Sequence, residues 1–401
     1  MKSLKNIWQS LAAKRRIILI SIANAFVILL LCYLYDNMSI SLDSDATTRQ
    51  WFERAKSICG MNTDSLPDDL LIVNIAYDRQ LVDVTDNDGI VKGNTDITDR
   101  QKLLQFLTAA READNYNYII LDVNFNNRYT TEWDSALYAT ISAMPRIVIP
   151  KHHDDILADS SLYPKSRYSE YATTIIDEDF AKYDLLPAGE QSLPLSVYNE
   201  LLGGKNISQW GFLYFSDGHL SRRCITPRFV VKAWDEYDEN GNKIILNLGC
   251  DIIDLADIIP IADHINDRII LIGDITERDR HDTYMGNVSG AIINVNTIYA
   301  LMNGSHIINW WSIILLLIFY SVVSGVTISG IDLMKHLPLI NRIKSKTIIF
   351  LFSFIGFSFI LTIFATLSYV LLDAEFNVVI PSLYFSIYNL IANYITTLKQ
   401  T

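Results

Sequence analysis

The chain is 401 residues long, half of them hydrophobic, with a net charge of −12 and only 17 Gly and 10 Pro. Such a length implies two or three structural units and excludes a disordered or collagen-like chain. The acidic balance argues against nucleic acid as a partner, and the four cysteines, far apart and without a CxxC, exclude a disulfide scaffold or zinc ribbon.

Residues 1–16 carry Lys2, Lys5, Lys14, Arg15 and Arg16 and are expected on the cytoplasmic side. Residues 17–35, from Ile17 to Tyr35, hold no charge and are long enough to cross a hydrocarbon core. Ser39-Ile40-Ser41 is a poor signal-peptidase site, and bulky Leu31 precedes Cys32. An uncleaved anchor is therefore expected rather than a signal peptide or lipoprotein.

Residues 36–306 form an acidic extracytoplasmic body. Leu70 to Ile75, Tyr118 to Leu121, Arg146 to Ile149 and Arg268 to Ile272 are continuous apolar runs, as in strands covered on both faces. Between the first two, Thr98 and Gln101 form a capping-box pattern ahead of a helix whose apolar face is Leu103, Leu104, Phe106, Leu107 and Ala110. Further helices are expected over Trp133 to Ser142 and within Val288 to Met302. Strand–helix alternation implies parallel βαβ units. Asp217-Gly218 and Asn240-Gly241 each predict a hairpin, the first joining Trp210–Phe215 to His219–Cys224 and the second preceding Lys243–Leu248. The fold class is thus α/β, a parallel-sheet-containing extracytoplasmic domain with an antiparallel extension, plus a four-helix transmembrane region.

Three more spans are predicted at 307–331, 347–372 and 378–398, separated by a basic cytoplasmic loop at 332–346 and an outer turn at 373–377. Trp310 and Trp311 stand where indoles mark a membrane interface, and every basic cluster beside a span falls on one side, giving cytoplasmic N- and C-terminal segments. Ser321, Gly325 and Ser329 share one helix face and let another helix approach. Ser382, Ser386, Asn389, Asn393 and Thr396 or Thr397 make a polar stripe, expected to bond within the bundle or to dock a partner's helix. No span interior contains an ionisable Asp, Glu, Lys, Arg or His, which speaks against ion transport.

Asp78, Asp122 and Asp274 follow predicted parallel strands, whose carboxyl ends form the ligand crevice of open α/β sheets. Each would otherwise cap a turn or helix. Asp274, Asp279, His281 and Asp282 are the densest set of ligand-type side chains, but their spacing matches no metal signature. His152-His153-Asp154-Asp155 is metal-like by residue type alone. The stretches Val84–Thr95 and Glu236–Asn247 lack the closing Glu of a calcium loop. No P-loop, GxGxxG, GxSxG or HExxH is present, so neither a cofactor nor enzymatic activity is expected.

The plan of one N-terminal span, an outer α/β domain and three further spans resembles the type two CHASE family, extracellular sensory domains associated with cyclases and histidine kinases. The resemblance runs from about residue 17 to 398. It is carried by Ile269-Ile270-Leu271-Ile272-Gly273, Asp279 to Thr283, Gly290 to Asn296, and Leu301 to Gly304, which follow the order of the family's I-G, D-x-x-x-T-P, G-V-x-x-x-A-N and leucine-rich segments. Leu121-Asp122-Val123-Asn124-Phe125 is similar to its D-x-x-F, and Asp217-Gly218 with Arg222 and Arg223 to its D-G-x-x-R. Arg100 stands for the Arg before the first helix, without the family's W-P-W lead-in; Ala76-Tyr77-Asp78 replaces I-D-D, and Tyr284 replaces the Pro of T-P.

The resemblance implies a divergent membrane sensor subunit. The expected inner segments are too short for a kinase or cyclase, so output is expected in trans, through a membrane or cytoplasmic signalling protein. The expected ligand residues are Asp122, Asp274, Asp279, Asp282 and Arg100, the ligand itself being unknown, and a homodimer would form through the spans and outer domain. Two alternatives stand beside this: a membrane-anchored envelope hydrolase with a metal-assisted site at Asp279, His281 and Asp282, or a structural envelope scaffold.

Overall fold

In the computed structural model, the described residues are 2–61, 66–85, 90–125, 129–153, 155–203, 206–232, 234–238, 240–276, 278–329, 346–372 and 374–398. The four apolar runs all become strands of one parallel sheet. Its order is Ile245–Asn247, Leu70–Asn74, Ile269–Gly273, Tyr118–Asp122, Ile147–Lys151 and Ser166–Tyr168. Alternate side chains explain why the runs are continuous. Leu70, Ile72, Tyr118, Ile120, Ile269 and Leu271 pack on one face with the helices Leu193–Leu202 and Gly290–Met302. Leu71, Val73, Ile119, Leu121, Ile270 and Ile272 pack on the other with the helices Arg100–Ala113 and Asp134–Ala143. A sheet covered twice has no polar face to encode.

The antiparallel extension is built mainly from Ile207–Trp210, Leu213–Ser216 and His219–Ser221, with the turn at Asp217-Gly218 as expected. A second three-stranded sheet joins Tyr171–Thr173, Phe180–Asp184 and Cys224–Ile225. The hairpin expected at Asn240-Gly241 does not extend. Among the described residues a single bridge, Tyr237 to Lys243, spans that turn, and Ile245–Asn247 runs parallel to Leu70–Asn74 at the edge of the main sheet. Ile244, Ile245 and Leu246 are all buried there, an enclosure that a surface hairpin would not supply. The first crossover helix also starts one residue later than the capping pattern suggests. Asp99, not Thr98, is the cap, its carboxylate accepting the Gln101 and Lys102 amides at 3.0 Å each, while Thr98 ends the strand Val91–Thr98. All four cysteines are free.

Among the described residues, three helices are long and apolar enough to cross a membrane: Lys14–Asp36, Trp310–Ile328 and Phe350–Leu372. A further apolar helix, Val379–Leu398, follows, with described side chains over Val379–Ile391. They share a core that includes Ala25, Ile28, Tyr320, Leu361, Ala365 and Phe385. Gly325 does allow close approach, since a Cβ there would lie 3.3 Å from the Ser21 hydroxyl. Asn24 joins two neighbouring spans, donating to Ser324 Oγ at 3.0 Å and accepting from Tyr384 at 3.3 Å. Within the polar stripe, Ser382 and Ser386 are buried and bond to carbonyls one turn earlier, and Asn389 donates to Ser353 Oγ at 3.1 Å. The side chains of Asn393, Thr396 and Thr397 lie outside the described set, as do Asp86, Asp88, Gly89, Asp154, Asp373 and the expected inner loop but for its final Lys346.

Candidate ligand-binding site

The parallel register aligns Asn247, Asn74, Gly273 and Asp122 in one row at the carboxyl edge of the sheet. Gly273 makes room there. A Cβ on it would lie 3.0 Å from Ala291 Cβ and 3.2 Å from Asp122 Cβ, so its absence lets the helix Gly290–Met302 close against the strand ends. Asp279 approaches from above in a left-handed backbone conformation, φ 51°. Its carbonyl accepts the Gly290 amide at 2.9 Å, and its carboxylate lies where a side chain on Gly290 would stand.

His281 Nε2 is 3.0 Å from Asp279 Oδ1, and Tyr171 Oη is 2.7 Å from the same nitrogen. A buried polar group supports the site from the helix side. Tyr183 donates to Asn294 Oδ1 at 2.7 Å, and Ser169 Oγ donates to the same oxygen at 3.2 Å. Burial pushes the Asp122 carboxyl up to about 7, the negative charge of Asp279 adds to that rise, and His281 opposes it. Burial likewise raises the Tyr171 and Tyr183 phenols, so both stay protonated and act as donors. Two carboxyls, an imidazole and two phenols thus converge, a combination suited to a ligand rich in hydrogen-bond donors or carrying an amine.

The other expected residues lie elsewhere. Asp274 is tied to Arg79 at 2.6 Å and caps Thr276 at 3.0 Å. Asp282 is exposed and accepts from Asn287 Nδ2 at 2.9 Å, turned to its own hairpin. Asp78 binds Lys102 at 2.7 Å and the Gly249 amide at 3.2 Å. Arg100 is buried on the opposite side of the same motif that presents Asp122. Its guanidinium stacks 4.5 Å from the Phe125 ring centroid and lies 3.8 Å from Asp134. The D-x-x-F segment therefore serves two places, Asp122 the sheet edge beside Gly273 and Phe125 the platform under Arg100. Among the described residues no group of three or more His, Cys, Asp or Glu is placed to hold a metal ion. His152 and Asp155 close a turn, the His152 amide donating to Asp155 Oδ2 at 2.8 Å.

Sequence reasoning missed the junction between this site and the spans. The hairpin bearing Asp279 and His281 turns at Tyr284, whose buried hydroxyl donates to Pro227 O at 2.8 Å. The Arg49 guanidinium, on the helix Asp43–Ile58, lies 5.5 Å from the Tyr284 ring centroid and 5.1 Å from that of Tyr369. Arg49 also pairs with Glu53 at 3.2 Å and with Glu375, just before the helix Val379–Leu398. Tyr369 in turn donates to Glu53 and accepts from Arg228 at 3.1 Å. The signal in the sequence is faint: an Arg and a Glu four apart beside Phe52 read as an ordinary helical surface pair.

No curated protein and no solved structure matches the chain. A family model described as the CHASE2 domain matches residues 25–328, three quarters of its length and including the Asp122, Asp279 and Arg49 regions. The mixed α/β fold with its apolar helices and this match together make the chain a membrane protein of the CHASE2 sensor-domain family.

Proposed function

We propose that this protein detects an extracytoplasmic ligand in the crevice around Asp122, Asp279, His281 and Tyr171, and passes the change in trans to a signalling output protein. In this reading it resides in a bacterial-type inner membrane with 36–306 outside and 1–16, 332–346 and 399–401 inside. The positive-inside arrangement of Lys14, Arg15, Arg16 and Lys346 supports that orientation. The observation that carries the coupling is Arg49, which touches the ligand-site hairpin through Tyr284 and the span ends through Tyr369 and Glu375. A ligand that moves the hairpin changes what Arg49 packs against, and the spans meet that change at their outer ends.

Two measurements test this. Hydrogen exchange on the full chain in nanodiscs should show that the pair Asp122→Asn and Asp279→Asn alters protection in 43–58 and 366–380, and that Arg49→Ala abolishes the effect. Unchanged exchange in both segments would remove the coupling. Crosslinking and mass spectrometry from native membranes should recover a stoichiometric partner bearing a kinase, cyclase or regulator module; recovery of a homo-oligomer alone would count against signalling in trans.

A further inference from the structure

A cavity lies apart from the Asp122 site, whose residues do not line it. It measures about 880 Å³ and opens where the outer domain meets the spans. Its two halves differ in chemistry. Leu29, Leu30, Ile313 and Leu316 line the half between the first two spans. Arg222, Arg228, Asp36 and Glu375 line the half under the domain. Trp310, exposed in the first turn of its helix, marks the level at which apolar gives way to polar.

The charges on the polar wall are not equally engaged. Arg49 is held by Glu53 and Glu375. Arg228 reaches Glu53 at 3.7 Å and Tyr369 at 3.1 Å. Arg222 is fixed through its backbone, its amide donating to the His306 carbonyl at 2.8 Å. Its half-buried guanidinium makes no hydrogen bond or ion pair within 4 Å among the described residues, and its charge acts at longer range on Asp36 and Tyr33. A cation so placed, at the interfacial level of an amphipathic cavity, suits a phosphate whose apolar part continues between the spans. Asp36 and Glu375 on the same wall would repel a purely anionic head and favour one that adds an ammonium group.

We propose that this cavity binds one phospholipid from the adjoining leaflet, of the class whose headgroup carries both a phosphate and an amine. The phosphate meets Arg222, and the glycerol and upper acyl segments lie against Leu29, Leu30, Ile313 and Leu316. The site is separate from the Asp122 crevice and does not rest on the role given to it. It places a lipid against Arg49, Tyr369 and Glu375, so headgroup chemistry bears on the same junction.

Native mass spectrometry of the full chain, released from nanodiscs containing equal parts phosphatidylethanolamine, phosphatidylglycerol and diacylglycerol, tests the assignment. Phosphatidylethanolamine should be retained at one per chain, enriched about tenfold over either competitor. Arg222→Gln should lower that retention about tenfold, the loss expected for one charge-assisted contact. Leu316→Trp, which fills the apolar half without touching a charge, should do the same, and it serves as the test if Arg222→Gln does not fold. Equal retention of all three lipids, a preference for phosphatidylglycerol, or retention unchanged in a folded variant would overturn the proposal.

Discussion

Arg49 and Glu375 form an ion pair between the helix Asp43–Ile58 of the α/β domain and the segment that joins two apolar helices. The Arg side chain is 6% exposed and the Glu 31%, so the pair is sheltered on one side only. Arg49→Ala would leave Glu375 and Glu53 without their shared cation and remove the packing between Tyr284 and Tyr369. A loss of about 2–3 kcal/mol is expected, below the range for a fully buried pair because Glu375 keeps some water. Thermal unfolding of the full chain in micelles measures it, and Arg49→Met, which keeps the packing, should lose less than Arg49→Ala.

Asp122 gives stability a definite pH dependence. Its carboxyl is raised from 3.8 to about 7, so between those values the folded chain holds a proton that the unfolded chain has released. Stability therefore falls as pH rises through this window, and the whole penalty is in place above it. Asp122→Asn keeps a neutral side chain at every pH. Wild type and variant should melt together near about pH 4 and separate towards pH 8, where the variant is the more stable by several degrees. Parallel melting curves across that range would place the carboxyl elsewhere.

Gly273→Ala tests the closure of helix against sheet. The new methyl would meet Ala291 Cβ at 3.0 Å and Asp122 Cβ at 3.2 Å, both carried on regular backbone that yields little. Overpacking of this kind costs about 1–3 kcal/mol. The same substitution should shift the pH dependence assigned to Asp122, since the carboxyl is displaced with its Cβ; comparing melts of G273A at low and high pH reads both effects.

Asn296 is fully buried and bonds four ways. It accepts the Val230 and Val231 amides at 2.8 and 2.9 Å and donates to Val231 O and Ile292 O at 2.8 Å each. Asn296→Ala strands the amides and the Val231 carbonyl in a dry core, with an expected loss of about 2–3 kcal/mol. Chemical denaturation should show the midpoint falling; Asn296→Asp, which keeps the acceptor but replaces the donor with a charge, should fall at least as far.

The sheet was legible because its strands leave no polar face: Leu70 to Val73 and Ile269 to Ile272 are buried throughout, and only a doubly covered strand reads that way. Asp122 and Asp279 were legible as ligand-type residues, since strand ends and a dense acidic loop are visible locally. Asp274 and Asp282 share those local features, but Arg79 and Asn287, which engage them, could not be assigned from spacing alone. Lys243 to Leu248 shows the converse error, where a strong turn signal outweighed three apolar residues that belonged to a distant edge. The Arg49 junction was hidden for a topological reason. Its partners Tyr284, Tyr369 and Glu375 come from segments more than two hundred residues away, and no periodicity connects them.

Asn24 limits how the apolar helices can move against one another. Its amide is satisfied on both sides, by Ser324 and by Tyr384, in a solvent that offers no replacement partners. Sliding the first span by one residue, about 1.5 Å along its axis, would strand all three groups together. Swinging the helices about this pin leaves the bonds intact. These two bonds therefore favour pivoting of the helices about Asn24 over sliding of one along another.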